Sequence, residues 1–263
     1  MTKPILHTYK LAEGVVAFST TRHGGVSKGD YGEFNINPYC GDDAEAVADN
    51  RAELCATLGI DDDRLLLPHQ VHGTENRVVS ADFFTLPTGE RRIILDGADS
   101  IMTDIPGVCI GVSTADCIPV LLYDPVHRAG CAVHAGWRGT VKRIVLKSVA
   151  EMVAAYDTKP SDLLAIIGPG ISLEHFEVGQ EVYDEFEQAS FDMSAITRKL
   201  NKWHIDLPEC NRLQLLQAGV ASQCIRMSGM ICTYAHSDEF FSARRLGVES
   251  GRIFTGILLT ETI

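Results

Sequence analysis

Between residues 107 and 135 the chain passes through three short apolar segments, GVCIGVST (107–114), IPVLLY (118–123) and AGCAVHA (129–135), separated only by turn-forming residues. No other feature limits the fold as strongly. Their length, Val/Ile content and flanking turn signals predict three successive β-strands. VVAFST (15–20), LLAIIGPG (163–170) and the tail RIFTGILLT read as further strands. LLLPHQVHG (65–73) is a short apolar run ending in polar residues.

Helical signals alternate with these runs. DDAEAVADNRAELCATLGI begins with aspartate caps and ends at Gly59, the usual punctuation of a helix. Thr140 can cap a helix over 140–156, with Val141, Ile144, Val145, Val149, Met152, Val153 and Tyr156 on one stripe. Helices are also expected at 178–190 and 207–218. Intermingled strands and helices predict an α/β or α+β fold with a mixed sheet. No repeat, low-complexity tract or linker interrupts the sequence, so residues 1–263 are expected to form one domain.

Bulk properties remove several classes of function. A chain that is 45% hydrophobic and 22% charged has the profile of a soluble globular protein. A formal net charge of −12 disfavours nucleic acid and anionic membrane as partners, since both call for a basic face. No stretch reaches the roughly 20 apolar residues of a membrane helix. MTKPILHTYKLAEG lacks the apolar run of a signal peptide. The eight cysteines include no CxxC pair, so reduced, mostly buried thiols and a cytoplasmic location are expected.

Cys117 and His134 stand at or beside the ends of two apolar runs, and His72 ends a third. Strands can bring such residues within the ~2.0–2.3 Å of a shared metal ion. Three His/Cys ligands leave a fourth position open, the mark of a catalytic zinc site. His69 is either a supporting group or plain surface. Spacing alone leaves open a plainer alternative, a buried cysteine beside two hydrogen-bonded histidines.

Arginines offer a second chemistry. With Val47 as origin and ~100° per residue, Arg51 falls at about +40°, inside the apolar stripe of its helix. A cation there meets an anion, a ligand or a cluster of carbonyls, or else snorkels outward. Arg138 precedes the predicted 140–156 helix in a Gly-bounded loop and could help cradle an anion. Arg244 and Arg245 sit beside aromatics in FFSARRLG, suited to phosphate and to a stacked base. Asp96, Asp99 and Asp116 could orient ligands or carry protons, although the DGAD pair also suits a turn.

In order, STTRHGGVS, NIN, DNRAEL, QVHG, DGADSIMTD, GVSTADCIPVLLYDP, HAGWRGT, IGPGI, FEVG, DLPECNRLQLLQAGV and FFSARR resemble the multicopper polyphenol oxidase family (laccase-type, YfiH-like), now linked to purine nucleoside phosphorylase activity. The likeness spans about residues 15–255, with TADC followed by HAGWRG as its most specific part. It implies a layered α/β/β/α fold with mixed sheets and a zinc ion on His72, Cys117 and His134, with copper as the second candidate ion. It also implies catalytic or substrate roles for Arg51, Asn35 of NIN, Trp137, Arg138 and Arg244. Where the family often reads GPCIGPCCYEVG this chain reads GPGISLEHFEVG, with Gly170 and His175 at two cysteine positions. Ala243 replaces the tyrosine of FSYRRDG.

The resemblance implies a zinc-dependent purine nucleoside phosphorylase, monomeric or homodimeric, acting on adenosine, inosine and methylthioadenosine with phosphate, and deaminating adenosine. Three rivals use the same residues. The first is a hydrolase with Cys117 as nucleophile and His134 as base, editing mis-made cell-wall precursors. Copper-dependent phenol oxidation needs about ten histidines in HxH pairs, whereas this chain has nine and no such pair. A non-catalytic zinc protein needs a fourth ligand, for which Asp116 is the nearby candidate.

Overall fold

The computed structural model describes residues 3–228 and 231–260. A five-stranded sheet runs in the order β1 (Leu6–Tyr9), β2 (Val15–Thr20), β14 (Ile253–Leu259), β6 (Cys109–Thr114) and β3 (Leu65–Leu66). A six-stranded sheet runs β13 (Ile225–Met227), β9 (Leu164–Ile167), β7 (Ile118–Asp124), β8 (Ala129–Ala135), β5 (Ser100–Thr103) and β4 (Asn76–Val79). β10 (Glu177–Val178), β12 (Trp203–Ile205) and β11 (Thr197–Lys199) form a small third sheet. Both larger sheets mix parallel and antiparallel pairs.

The helices are α1 (Ala44–Leu58), α2 (Thr88–Leu95), α3 (Trp137–Val141), α4 (Ile144–Tyr156), α5 (Gln180–Gln188), α6 (Met193–Ile196), α7 (Leu207–Gln217) and α8 (Ala243–Leu246). α1 begins on Asp43, whose carboxylate accepts from the Glu45 and Ala46 amides, and ends on Gly59 in the left-handed region, as its sequence predicts.

Layering follows from which faces are apolar. Ile110, Val112 and Ile257 of one large sheet meet Leu121, Ala132 and Ile166 of the other in a shared core. The outer face of the five-stranded sheet packs Phe18, Phe254 and Leu258 against Leu54 and Cys55 of α1. On the outer face of the six-stranded sheet, Val120, Leu122 and Val133 pack against Ile144, Val149 and Met152 of α4 and Leu215 of α7. The result is the expected α/β/β/α arrangement. The three apolar runs are strands, but they do not share a sheet. Residues Ala115 to Cys117 carry the chain from β6 across to β7.

The apolar run at 65–73 forms the two-residue β3 and then turns irregular. One local expectation needs correction. The helix expected over 140–156 is broken: α3 ends at Val141 and α4 starts after Arg143, which adopts φ +63. Thr140 caps nothing; it is buried inside α3, with Oγ1 donating to the Ala135 carbonyl. Two buried amides on α7 make the break tolerable. Gln214 donates to the Thr140 carbonyl and accepts from the Leu146 amide, while Asn211 donates to Thr140 Oγ1. Backbone groups freed by the kink thereby keep partners.

Leu121 is fully buried between the sheets, whereas Ile93 on α2 is 75% exposed. Leu121→Ala is expected to lower the free energy of unfolding by about 2–5 kcal/mol in urea titration. Ile93→Ala should change it by less than about 0.5 kcal/mol.

Candidate metal centre

Sheet register brings the site together. β7 and β8 pair with Ile118 opposite Ala135, so Cys117, just before β7, lies at the end of β8 that carries His134. β5 pairs with β8 with Ser100 opposite Val133, which sets Asp99 beside His134, and the His134 amide donates to the Asp99 carbonyl at 2.7 Å. His72 comes from the loop between β3 and β4 and holds φ +60, an uncommon conformation for a residue with a Cβ.

Asp99 is fully buried and organises all of this. Its carboxylate accepts from three successive amides, Val71 at 3.2 Å, His72 at 3.0 Å and Gly73 at 2.7 Å. It also accepts from His134 Nδ1 at 2.7 Å. Since a carboxylate only accepts, Nδ1 of His134 carries the proton and Nε2 is free to ligate. Burial pushes the Asp99 carboxyl upward, but the bond from His134 and those amides outweigh it and hold it below its ordinary value.

The ligand atoms of His72, Cys117 and His134 all lie within 4.8 Å of one another. The two imidazoles meet edge to face, with centroids 4.8 Å apart. Burial raises the Cys117 thiol, yet the neighbouring His134 and His72 rings more than reverse this and leave it well below an ordinary thiol. Burial lowers His134, while the Cys117 and Asp99 charges raise it overall. Such a cluster of one thiolate and two imidazoles suits a borderline-soft divalent ion. Gly136 keeps it open: a Cβ there would lie 3.0 Å from both Cys117 Sγ and His72 Cδ2.

The three residues line a cavity of about 670 Å³. Trp137, Phe176, Asp116, Arg244 and Arg252 also face it. Asp116 is held at φ +85, accepting from Thr233 Oγ1 and from the Arg244 amide. Arg244 Nη1 donates to the Glu177 carbonyl and its guanidinium lies over Phe176. The Ser113 and Thr114 hydroxyls are buried on this wall without a hydrogen-bond partner among the described residues.

Other expected residues stand elsewhere. Arg51 does meet an anion and carbonyls, but these belong to the protein: Nε donates to Asp62 Oδ1 at 2.7 Å and Nη2 to the Asp62 and Leu65 carbonyls. It lines a neighbouring cavity of about 580 Å³ rather than the His–Cys–His cavity. Arg138 is in α3, not in a loop ahead of a helix, and its guanidinium covers the Trp137 ring at 4.3 Å. Arg245 likewise covers Tyr234. Asn35 is buried behind the wall, where Oδ1 accepts from the Asn37 and Arg252 amides. His175 stacks on Tyr234 and contacts Ser172 and Cys232. A Cβ at Gly170 would lie 2.4 Å from Ile118 Cδ1 and 3.0 Å from the Asp116 carbonyl, so the side chain the family often carries there has no room unless the wall shifts.

Fold and site together define a layered α/β protein with a three-ligand candidate metal centre open to a cavity. The chain belongs to the multi-copper polyphenol oxidoreductase laccase family, whose model matches residues 16–260. It is 46% identical over 245 residues to a purine nucleoside phosphorylase of Bacteroides thetaiotaomicron, covering 92% of this chain and 90% of that one. It is 41% identical over 251 residues to the adenosine deaminase RL5 of an unknown prokaryotic organism, covering 94% and 95%. The crystal structure of YlmD from Geobacillus stearothermophilus superposes with a TM-score of 0.88 at 32% identity, covering 96% of this chain and 94% of that one.

Asp99→Asn is expected to weaken metal binding about 10–100-fold, as measured by competition with a chelator. In metal-free protein, alkylation of Cys117 followed by peptide mapping should half-titrate at about 6. A profile centred on the ordinary thiol value would show that the two imidazoles do not hold the thiolate.

Proposed function

We propose that this protein is a zinc-dependent purine nucleoside phosphorylase that cleaves adenosine, inosine and methylthioadenosine with phosphate and also deaminates adenosine. The observation that carries this reading is the His72–Cys117–His134 cluster, three ligands facing a cavity large enough for a nucleoside. Relatives named purine nucleoside phosphorylase and adenosine deaminase support the same substrate class. Zinc bound there supplies a Lewis acid that polarises an oxygen at neutral pH.

The chain's own residues account for the remainder. Cys117 and His72 present their donor atoms, and Asp99 fixes the His134 tautomer. In phosphorolysis a phosphate oxygen bonds to ribose C1′ as the C1′–N9 bond breaks, and the electron pair leaves with the purine, which takes up a proton. Of the two arginines that line the cavity, Arg244 and Arg252, the phosphate is assigned to Arg244, whose amide donates to Asp116. Trp137 and Phe176 give apolar wall area for sugar and base. Asn35 and Arg138 serve this site through the wall residues Arg252 and Trp137, whereas Arg51 lines the neighbouring cavity.

The contact between Cys117 and His134 favours one rival, the hydrolase with a cysteine nucleophile. Metal occupancy separates the two, because a coordinated thiolate is not a free nucleophile. A multi-copper chain is less well supported, since among the described residues only this one cluster of three ligands assembles.

Metal-loaded protein given adenosine and phosphate is expected to release adenine and ribose 1-phosphate, read by chromatography. Cys117→Ala should lose both bound zinc and turnover. Zinc-loaded protein that forms no product from any purine nucleoside refutes the proposal.

A further inference from the structure

The HQVH and DGAD segments lie side by side, and the metal centre accounts for only half of their histidines and carboxylates. The His69 amide donates to the Leu95 carbonyl at 3.1 Å, and the Gly97 amide returns to the His69 carbonyl at 3.0 Å. At the inner end Asp99 holds the His72 amide and the His134 ring. At the outer end His69 Nδ1 donates to Asp96 Oδ1 at 2.7 Å. His69 is outside the metal cluster but lines the same cavity.

That second pair has a defined polarity. The Asp96 carboxylate only accepts, so the proton of a neutral His69 sits on Nδ1 and Nε2 keeps its lone pair. Tyr39 lies across the imidazole, with ring centroids 4.3 Å apart at 31°. Tyr39 is 42% exposed, faces the cavity, and is tethered by its amide to Asn37 Oδ1 at 2.7 Å. Cavity, aromatic pair and backbone ties together make a fixed apolar wall whose imidazole carries a single acceptor.

We propose that Tyr39 and His69 form the base-recognition wall of the nucleoside site, with His69 Nε2 accepting from the 6-amino group of adenine. The inference rests on the nucleoside reading above and adds a substrate preference to it. A 6-oxopurine sets an oxygen acceptor against the nitrogen acceptor, leaving both unsatisfied, so adenosine is favoured over inosine. Asp96 is a positioning residue that acts by fixing the His69 tautomer.

The test measures equilibrium binding and kcat/KM for adenosine and inosine at mildly alkaline pH. Wild-type protein should favour adenosine about ten-fold. His69→Ala should lower kcat/KM for adenosine about ten-fold, chiefly through KM, while inosine stays within about three-fold. His69→Gln, whose amide oxygen can still accept, should recover part of the preference, and Asp96→Asn should lose part of it. Zinc content should be unchanged in all three variants. A merely structural role for His69 would depress both nucleosides together and overturn the inference. So would a wild-type preference for inosine, or a preference that survives in His69→Ala. Wild-type protein that neither binds nor cleaves either nucleoside refutes the functional reading itself, and the base wall falls with it.

Discussion

A buried carboxylate with four converging donors underlies the whole site. Asp99 would be driven toward its neutral form by burial alone. The amides of Val71, His72 and Gly73 and the ring of His134 keep it ionised instead. One charge thereby fixes two unlike things, the backbone of the His72 loop and the tautomer of His134. Its own position comes from the antiparallel pairing of β5 with β8. A slip of one residue in that register would turn every side chain on β5 to the opposite face and dismantle the cluster.

Much of this was legible in the sequence where the signal was local. The strands β6, β7 and β8 are buried on both faces, so they read as continuous apolar runs. The same property hid their division between two sheets, because nothing in Val112 or Leu121 tells which layer it joins. Periodicity also ran unbroken through α3 and α4, since Val141 and Ile144 pack on the same core. The break depends on Asn211 and Gln214, far along the chain, and local pattern cannot register it. Arg51 is legible as a cation on an apolar stripe, and the anion it meets is Asp62. DGAD suits a turn equally well, and its function shows only when HQVH lies beside it. Two histidines three apart, facing two aspartates three apart, were the available signal.

Small residues matter here for the space they leave. Gly136 lets the HAGWRG turn pass against Cys117 and His72, and Gly170 lets the following loop press on the backbone that precedes Ile118. Departures from the family pattern fall outside the ligand cluster. His175 has become a partner of Tyr234, and Ala243 leaves the cavity rim without a ring. The ligand cluster itself is untouched, and of these positions only Ala243 lines the cavity.

The crossing of Ala115 to Cys117 between the two sheets carries a consequence for biosynthesis. His72, Cys117 and His134 come from three separate stretches, and their approach requires β5, β7 and β8 to have paired and β6 to have left for the other layer. Cys117 and His134 flank one local hairpin, whereas His72 joins them only through Asp99 and the pairing of β5 with β8. The complete set of three ligands therefore forms only after the long-range pairings that are slowest to form, unlike the compact ligand set of a zinc finger.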